Sequence, residues 1–426
     1  MATTKLQRNV FIGLGGSGQT SLLEIKRSLL EVYPDLDSVP AQVQFLAIDT
    51  DRQIAETLTS SGKIVKFESN EFLQVGNQGA GRVAEAAEWW PEGCSDYPKA
   101  SRGASQKRLH GRAKLAVDAL RVKQRLSDAI SKAKDNAVET LDDDGSSAGV
   151  KVWIVSSLAG GTGAGMWYDI AGLIRGSLEN DGHDELFGMF VTGDVFSSLN
   201  TVGFVLPNTY ACLAELQWLN SMGAARKAMG DSYDLHAAKE IPISKDKLFD
   251  CVFLATSKNS DGLSISSPSN LFTALGRFLF FFAGEGASAF NSWWSNKNSD
   301  ANMVANSHGE RVPALFYGLG ISEIVLDSEN VKQRDAYLCT AMLFESLIGT
   351  PVSLDRQEKN VGDFLEQNEY EERDTDQMLN RFASPVEMLK QKGKYTIPES
   401  RIENKDDPAK FVGHLKKIHS ADMAKW

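Results

Sequence analysis

Apolar residues fall in short unbroken runs, separated by glycine turns and by stretches with helical spacing. Asn9 to Leu14 (N-V-F-I-G-L) runs into glycines and reads as a buried parallel strand. From Thr20 to Tyr33, the positions Leu22, Leu23, Ile25, Leu29 and Leu30 predict a helix, with Pro34 as its stop. Val43 to Ile48 (V-Q-F-L-A-I) predicts a second buried strand, closed by Asp49-Thr50-Asp51. Strand, glycine turn, helix and strand within about 40 residues make a βαβ unit. Lys151 to Ser157, Leu186 to Thr192 and Phe249 to Thr256 predict three more strands, and Pro313 to Leu326 one further. Helical spacing recurs over Ala113 to Val138, Met166 to about Leu178, Tyr210 to Met222, Asn270 to about Trp294 and Arg334 to Leu347. Strands alternating with helices predict an α/β fold.

The pattern breaks in two places. Residues 52–102 carry Trp89, Trp90, Pro91 and scattered glycines, and read as a loop-rich insertion. After about residue 350 no strand is predicted. Glu366 to Asp376 is acidic, and residues 386–426 hold nine Lys/Arg against six Asp/Glu, a balance of +3. This segment, 351–426, reads as a polar, mainly helical tail with a solvated face. It is the candidate contact for a protein partner.

Composition narrows the class. With 426 residues, 42% hydrophobic and 24% charged, the chain suits a globular protein of about two to three domains. A net charge of −11 supplies no long-range positive field, which argues against general nucleic-acid binding. Cys94, Cys212, Cys251 and Cys339 show no metal-ligand or disulfide spacing, so free thiols in a reducing cytoplasm are expected. The N-terminus leads straight into a strand pattern, so no signal peptide is expected. The most apolar run, Leu271 to Ala283, contains Arg277 and is shorter than the ~20 residues a membrane span needs. It predicts a core helix and no transmembrane segment.

Two glycine loops carry the candidate chemistry. The first, Gly13-Leu14-Gly15-Gly16-Ser17-Gly18-Gln19-Thr20, follows a strand and opens a helix. Its glycines let backbone N–H groups approach a phosphate, and the helix N-terminus adds partial positive charge. It fits G-x-G-x-x-G, and a ligand-free tight turn is the competing reading. The second, Ala159-Gly160-Gly161-Thr162-Gly163-Ala164-Gly165, also joins a strand to a helix. A dinucleotide enzyme needs only the first loop; a nucleotide gripped from both sides needs both. Neither loop has the lysine of a Walker A motif.

These motifs resemble the tubulin and FtsZ superfamily, most closely its bacterial tubulin-like group. Gly160 to Gly165, G-G-T-G-A-G, is similar to the tubulin signature G-G-G-T-G-[ST]-G. Gly13 to Thr20 resembles the first phosphate loop of FtsZ-like proteins. Ile48-Asp49-Thr50-Asp51-Arg52-Gln53 resembles their N-T-D-x-Q turn. Gly103-Ala104-Ser105 with Gly111-Arg112 matches the spacing of the G-A-G…G-R loop over the γ-phosphate.

The resemblance implies a Rossmann-like parallel-sheet GTP-binding domain over 1–265, a central helix and catalytic loop over 266–300, and the start of a reduced C-terminal domain over 301–350. It implies GTP or GDP with Mg²⁺ as ligand. Phosphate contacts would come from Gly15, Gly16, Ser17, Gly18, Gln19, Gly103, Ala104, Ser105, Arg112, Gly160, Gly161, Thr162, Gly163, Ala164 and Gly165. Gln19, Asp49 and Asp51 are candidates for the hydration shell of Mg²⁺; plain turn-capping competes for each aspartate. The nucleoside would be held by Thr192-Gly193-Asp194, by Asn208 near Tyr210, and by Asn270 with Phe272. Asn270 follows Ser-Pro-Ser, so helix capping competes with base reading there.

In this superfamily one subunit completes its neighbour's active site through an N-x-D-x-x-[D/E] loop. Here that loop falls on Asn298-Ser299-Asp300-Ala301-Asn302-Met303. Asn298 and Asp300 fit; Met303 stands where the second acid is expected, and a thioether cannot activate water. The resemblance implies head-to-tail self-association into filaments, with GTP hydrolysis at the junctions. A GTP-gated scaffold or switch without efficient hydrolysis is the alternative, favoured by Met303 and the thin C-terminal half. An NAD-dependent oxidoreductase is a third reading, which leaves the second glycine loop without a role.

Overall fold

The computed structural model describes residues 6–33, 35, 38–59, 62–99, 103–135, 149–178, 184–197, 203–221, 232–235, 240–242, 248–258, 262, 264, 267–284, 286–296, 303–305, 311–313, 316–318 and 328–349. The chain divides into a unit over Met1–Glu323 and another over Ile324–Trp426. In the second, the described element is a single helix, Ser328–Gly349. It contains and extends the helix expected over Arg334 to Leu347. The expected tail, 351–426, lies outside the described residues.

The first unit is built on a parallel sheet of seven strands. They are β1 (Asn9–Leu14), β2 (Val43–Asp49), β5 (Phe72–Gln74), β6 (Lys151–Ser157), β7 (Glu185–Val191), β10 (Cys251–Ala255) and β13 (Phe316–Gly318). Their order across the sheet is β13-β10-β7-β6-β1-β2-β5. The inner strand β1 pairs with β2 in the register Leu14↔Ile48 and with β6 in the register Leu14↔Ser156. This register brings the loops after β1, β2 and β6 together at the C-terminal end of the sheet.

Both faces of the sheet are covered, which is why its strands read as continuous apolar runs. Val10, Ile12, Leu14, Ile48, Val152 and Ile154 point into one core with α3 (Arg108–Asp135), α4 (Gly161–Arg175) and α5 (Val205–Ser221). Phe11, Phe45, Trp153, Val155, Phe187 and Met189 point into the other. That second core is closed by α1 (Gly15–Val32), α6 (Pro268–Ala283) and α7 (Ala287–Ser295). The strict alternation of faces along β1 and β6 follows from the two-residue strand period.

The structure refines several boundaries. The 52–102 segment is more ordered than a loop-rich insertion. It forms the hairpin β3 (Thr57–Leu58) and β4 (Ile64–Val65), the edge strand β5, and α2 (Ala80–Ala86). A strand of three residues is too short to leave a periodic signature. The helix expected over Asn270 to Trp294 is two helices, α6 and α7. Gly284 and Gly286 both donate their N–H to Phe281 O (3.1 and 2.8 Å), which ends α6. Of the strand expected over Pro313 to Leu326, Pro313 ends β12 (Arg311–Pro313), which pairs antiparallel with β11 (Met303–Ala305), and 316–318 form β13; 314–315 and 319–326 lie outside the described residues. Ser232–Asp234 (β8) and Glu240–Pro242 (β9) form a further hairpin. Among the described residues, no helix is long and apolar enough to cross a membrane.

Helices α3 and α4 cross where neither carries a side chain. A Cβ on Gly111 would overlap the carbonyl oxygen of Gly161, and one on Gly165 would overlap that of Arg108. In an exposed helix Gly→Ala adds up to ~1 kcal/mol of stability. Here overpacking reverses the sign, and Gly111→Ala is expected to cost ~2 kcal/mol or more. Gly203→Ala, which meets no atom within 4 Å, serves as control. Urea unfolding midpoints check the pair.

Candidate functional site

The glycine loops lie side by side because β1 and β6 are neighbours. Each loop turns directly into a helix: α1 starts at Gly15, and α4 at Gly161 with Gly160 as N-cap. Gly15 has φ +70°, and a Cβ there would sit 3.2 Å from Thr162 Cβ. Only glycine combines that turn with that proximity. Neither helix has a side-chain cap on its first turn. A Cβ on Gly16 or on Gly160 would meet no atom within 4 Å. Two helix N-termini with uncapped donors thus open beside each other, an arrangement that favours an anion.

A buried polar network ties these loops to the turn after β2. Asp49, 5% exposed, accepts from Gln19 Nε2 (2.7 Å), Thr50 N (2.7 Å), Asp51 N (3.2 Å) and Thr162 Oγ1 (3.2 Å). Thr50 Oγ1 lies 2.8 Å from Thr162 Oγ1 and accepts from Ala104 N at 2.9 Å. Gln19 Oε1 in turn accepts from Ala55 N (3.0 Å). Burial pushes the Asp49 pKa up, and the hydrogen bonds from Asp51, Gln19, Thr50 and Thr162 pull against it; the balance stays above the ordinary carboxylate value. Thr50 is the residue that sequence reasoning passed over. Its signal was its place between the two aspartates of the D-T-D turn.

The 103–107 loop packs on the start of α4. A Cβ on Gly161 would lie 2.7 Å from Lys107 N and 2.8 Å from Ala104 Cβ. One on Gly103 would lie 3.5 Å from both Asp51 Oδ2 and Thr50 Oγ1. Asn208 is buried, and its Nδ2 donates to Gln106 O (2.7 Å) and Ala159 O (3.0 Å). The structure therefore brings together Gly15, Gln19, Asp49, Asp51, Gly103, Ala104, Ser105, Gly160, Gly161, Thr162 and Asn208. Gly16, Ser17 and Gly18 follow on the first turn of α1, Gly163 and Ala164 on that of α4, and Gly165 at the start of its second.

Other candidates have partners of their own. Arg112 forms a bidentate pair with Asp169 (3.0 and 3.1 Å), which is 1% exposed, and its guanidinium lies 4.6 Å from the Trp89 ring centroid. Tyr233 of β8 also donates to Asp169. Arg112 thus fastens α3 to α4. Asp194, in a short 3₁₀ turn, accepts from Ser257 N (2.8 Å), Ser257 Oγ (2.6 Å) and Thr192 Oγ1. Burial pushes its pKa up, but the Ser257 and Thr192 donors win and hold it below the ordinary carboxylate value. Asn270 is exposed on the first turn of α6, where its N–H is capped by Ser267 Oγ (3.2 Å). Ser267 is the N-cap, not Asn270. Phe272 is buried beside Phe196 (centroids 6.3 Å apart), and Tyr210 is 77% exposed. Asn298 and Asp300 lie outside the described residues. Met303 begins β11.

As for Mg²⁺, Asp49 already accepts four hydrogen bonds. Asp51 is exposed, with one carboxylate oxygen capping Arg52 N (2.7 Å) and Gln53 N (3.3 Å). No group of three or more His, Cys, Asp or Glu gathers among the described residues. Of the carboxylates expected near Mg²⁺, Asp51 is thus the exposed one and Asp49 the buried one, so residues of this set would meet such an ion mainly through its water shell.

An all-parallel sheet with two adjoining glycine loops at its C-terminal end, clasped by an aspartate turn and a third loop, defines a Rossmann-like α/β protein. The family model described as "Tubulin like" matches residues 10–337, and the chain belongs to that family. Among solved structures it is similar to CetZ2 from Haloferax volcanii, described as a GTPγS-bound protofilament. That match has 14% identity, 68% of this chain and 64% of that chain covered, and a TM-score of 0.36. It is also similar to CetZ from Methanosaeta thermophila strain DSM 6194 (12% identity, 70% and 56% covered, TM-score 0.35). A third is CetZ1 from H. volcanii, described as a GDP-bound monomer (12%, 68% and 64%, 0.35). The chain spans less than two thirds of the length of these structures. No curated protein matches it in a sequence comparison.

The raised Asp49 pKa fixes a pH dependence. The folded state holds the Asp49 proton more tightly than the unfolded chain. Stability from this group is therefore complete below 3.8 and is lost as pH rises from there through the raised folded pKa. Asp49→Asn is expected to remove that slope and, by mismatching the donors around the carboxylate, to cost ~2 kcal/mol. Urea unfolding of both proteins across that pH window checks this.

Proposed function

We propose that the protein binds GTP or GDP with its phosphates between the two glycine loops. It self-associates head-to-tail and hydrolyses GTP slowly at the subunit junctions. The observation that carries this reading is the pair of helix N-termini without side-chain caps, those of α1 and α4, beside each other with open space at Gly16 and Gly160. Backbone N–H groups and helix dipoles compensate phosphate charge there without lysines, so an acidic chain is no obstacle. Gly103, Ala104 and Ser105 are proposed to lie over the terminal phosphate, and the Thr192–Asp194 turn, Asn208 and Asn270 to border the nucleoside. Mg²⁺ bound there would neutralise the outer phosphates. Guanine and assembly are read from family membership, and a cytoplasmic setting agrees with both.

In this reading Asp300 and Asn298 are supplied by one subunit to the next and orient the attacking water. A heterologous contact of this kind need not close, so open filaments follow. One sequence feature favours a second reading, a GTP-gated scaffold or switch: Met303 stands where the superfamily places an acid.

GTP turnover measured against protein concentration, with pelleting of the same samples, separates the two. A specific activity that rises with concentration, tracks the pellet and falls at least tenfold in Asp300→Ala supports the shared active site (roughly the ~10²–10⁴ of general base catalysis). Bound GTP with flat, negligible turnover and no pellet supports the switch. The phosphate site has its own test. Gly160→Asp gives α4 the side-chain cap it lacks and puts a carboxylate where phosphate would sit. Thermal stability is expected to hold or rise by ~1 kcal/mol while nucleotide affinity falls about a hundredfold. Unchanged affinity would place the nucleotide elsewhere.

A further inference from the structure

The 103–107 loop contains the two non-glycine residues with positive φ among the described residues: Ser105 at 50° and Gln106 at 61°. Side chains avoid this left-handed region, and neighbouring residues stay there only when their surroundings hold them. Three hydrogen bonds do so. Ala104 N donates to Thr50 Oγ1 (2.9 Å), Lys107 N donates to Ala104 O (2.9 Å), and Asn208 Nδ2 donates to Gln106 O (2.7 Å). The first two anchor the ends of the turn. The third seizes the strained peptide itself.

Asn208 reaches this position from the first turn of α5. It is 7% exposed, and the same nitrogen donates to Ala159 O, one residue before Gly160. Both partners are carbonyls, so the NH₂ end must face them; the reverse orientation would set oxygen against oxygen. One amide therefore spans two loops that are about 50 residues apart in sequence.

We propose that Asn208 is a latch that holds Ser105 and Gln106 in their left-handed conformation and locks the 103–107 loop to the second glycine loop. It is a positioning residue, and this gives its amide nitrogen a task other than reading a base. The effect on ligand rests on the nucleotide reading above; the latch does not. Without Asn208 the loop relaxes toward ordinary φ and leaves the start of α4.

The test uses the full chain as wild type, Asn208→Ala, Gln106→Gly and the double variant. Glycine accepts φ near +60° without penalty, so Gln106→Gly relieves the strain at the position whose carbonyl the latch holds. Hydrogen exchange of amides 104–107 and titration with GTPγS are the readouts. Asn208→Ala is expected to speed exchange and weaken GTPγS binding, each by roughly tenfold, the scale of one strained residue. Gln106→Gly keeps wild-type affinity, and the double variant recovers most of the loss. Unchanged exchange in Asn208→Ala overturns the latch. So does a loss that Gln106→Gly fails to restore, because a general packing role for Asn208 has no reason to be rescued at 106. If Asn208→Ala does not fold, Asn208→Ser, which keeps a donor of shorter reach, makes the same comparison. If wild type binds no GTPγS, the nucleotide reading falls and the exchange comparison still decides the latch.

Discussion

The Asp49 carboxylate is the interaction on which the rest of this site depends. It sits in the interior and accepts hydrogen bonds from α1, from its own turn and from α4. Charge in that position is costly unless donors surround it. Those donors are Gln19, Thr50, Asp51 and Thr162, and satisfying them fixes the spacing of the two glycine loops. Thr50 then passes the constraint to Ala104 and so to the third loop. Four chain segments far apart in sequence are held in one arrangement by a single desolvated group.

The same reasoning explains the distribution of positive charge. Three cationic side chains close to the loops are engaged by protein carboxylates, Lys107 by Asp96, Arg108 by Glu215 and Arg112 by Asp169, while the exposed Arg52 donates to Asn77 Oδ1 (2.9 Å). Lys114 is buried, donates to Gly76 O (3.2 Å), and has its pKa pushed down by burial against the pull of Asp51. The glycine loops themselves present backbone polarity. Open space at Gly16 and Gly160 and the missing side-chain caps are two faces of one property. A helix start without a cap is locally unfavourable, and it is retained where an outside acceptor completes it.

Rigidity around the loops comes from close approach. Gly111 and Gly165 let α3 and α4 cross in direct backbone contact, and the Arg112–Asp169 pair pins that crossing from its outer side. Trp89 adds its ring to the guanidinium and ties back to the second hairpin through Leu235 O (2.7 Å). The segment that looked like an insertion thus braces the two helices and supplies β5 to the sheet edge. Against this frame the 103–107 loop is the strained element, held by side chains from outside itself.

The alternation of buried strands and helices was legible in the residues. The inner strands of the sheet are buried and mostly apolar on both faces, and that demand is local. The glycine loops were legible for the same reason: a strand that must turn at once into a helix leaves few residue choices. The three-residue strand β5 was not, because so short a run has no period. The break between α6 and α7 was missed as well: Gly284-Glu285-Gly286 is a short interruption in a mostly apolar run that otherwise reads as one helix. Arg112 shows the limit most clearly. Its spacing matched a phosphate-contacting loop, yet whether a guanidinium meets a ligand or a buried carboxylate depends on Asp169, 57 residues away. Likewise Asn208 and Thr50 gain their roles from carbonyls and amides on other loops. The sequence by itself determined the elements and the backbone freedom of the loops, since both arise from near neighbours. Only the tertiary structure decided which polar groups meet, because hydrogen bonds between distant segments leave no periodic trace along the chain.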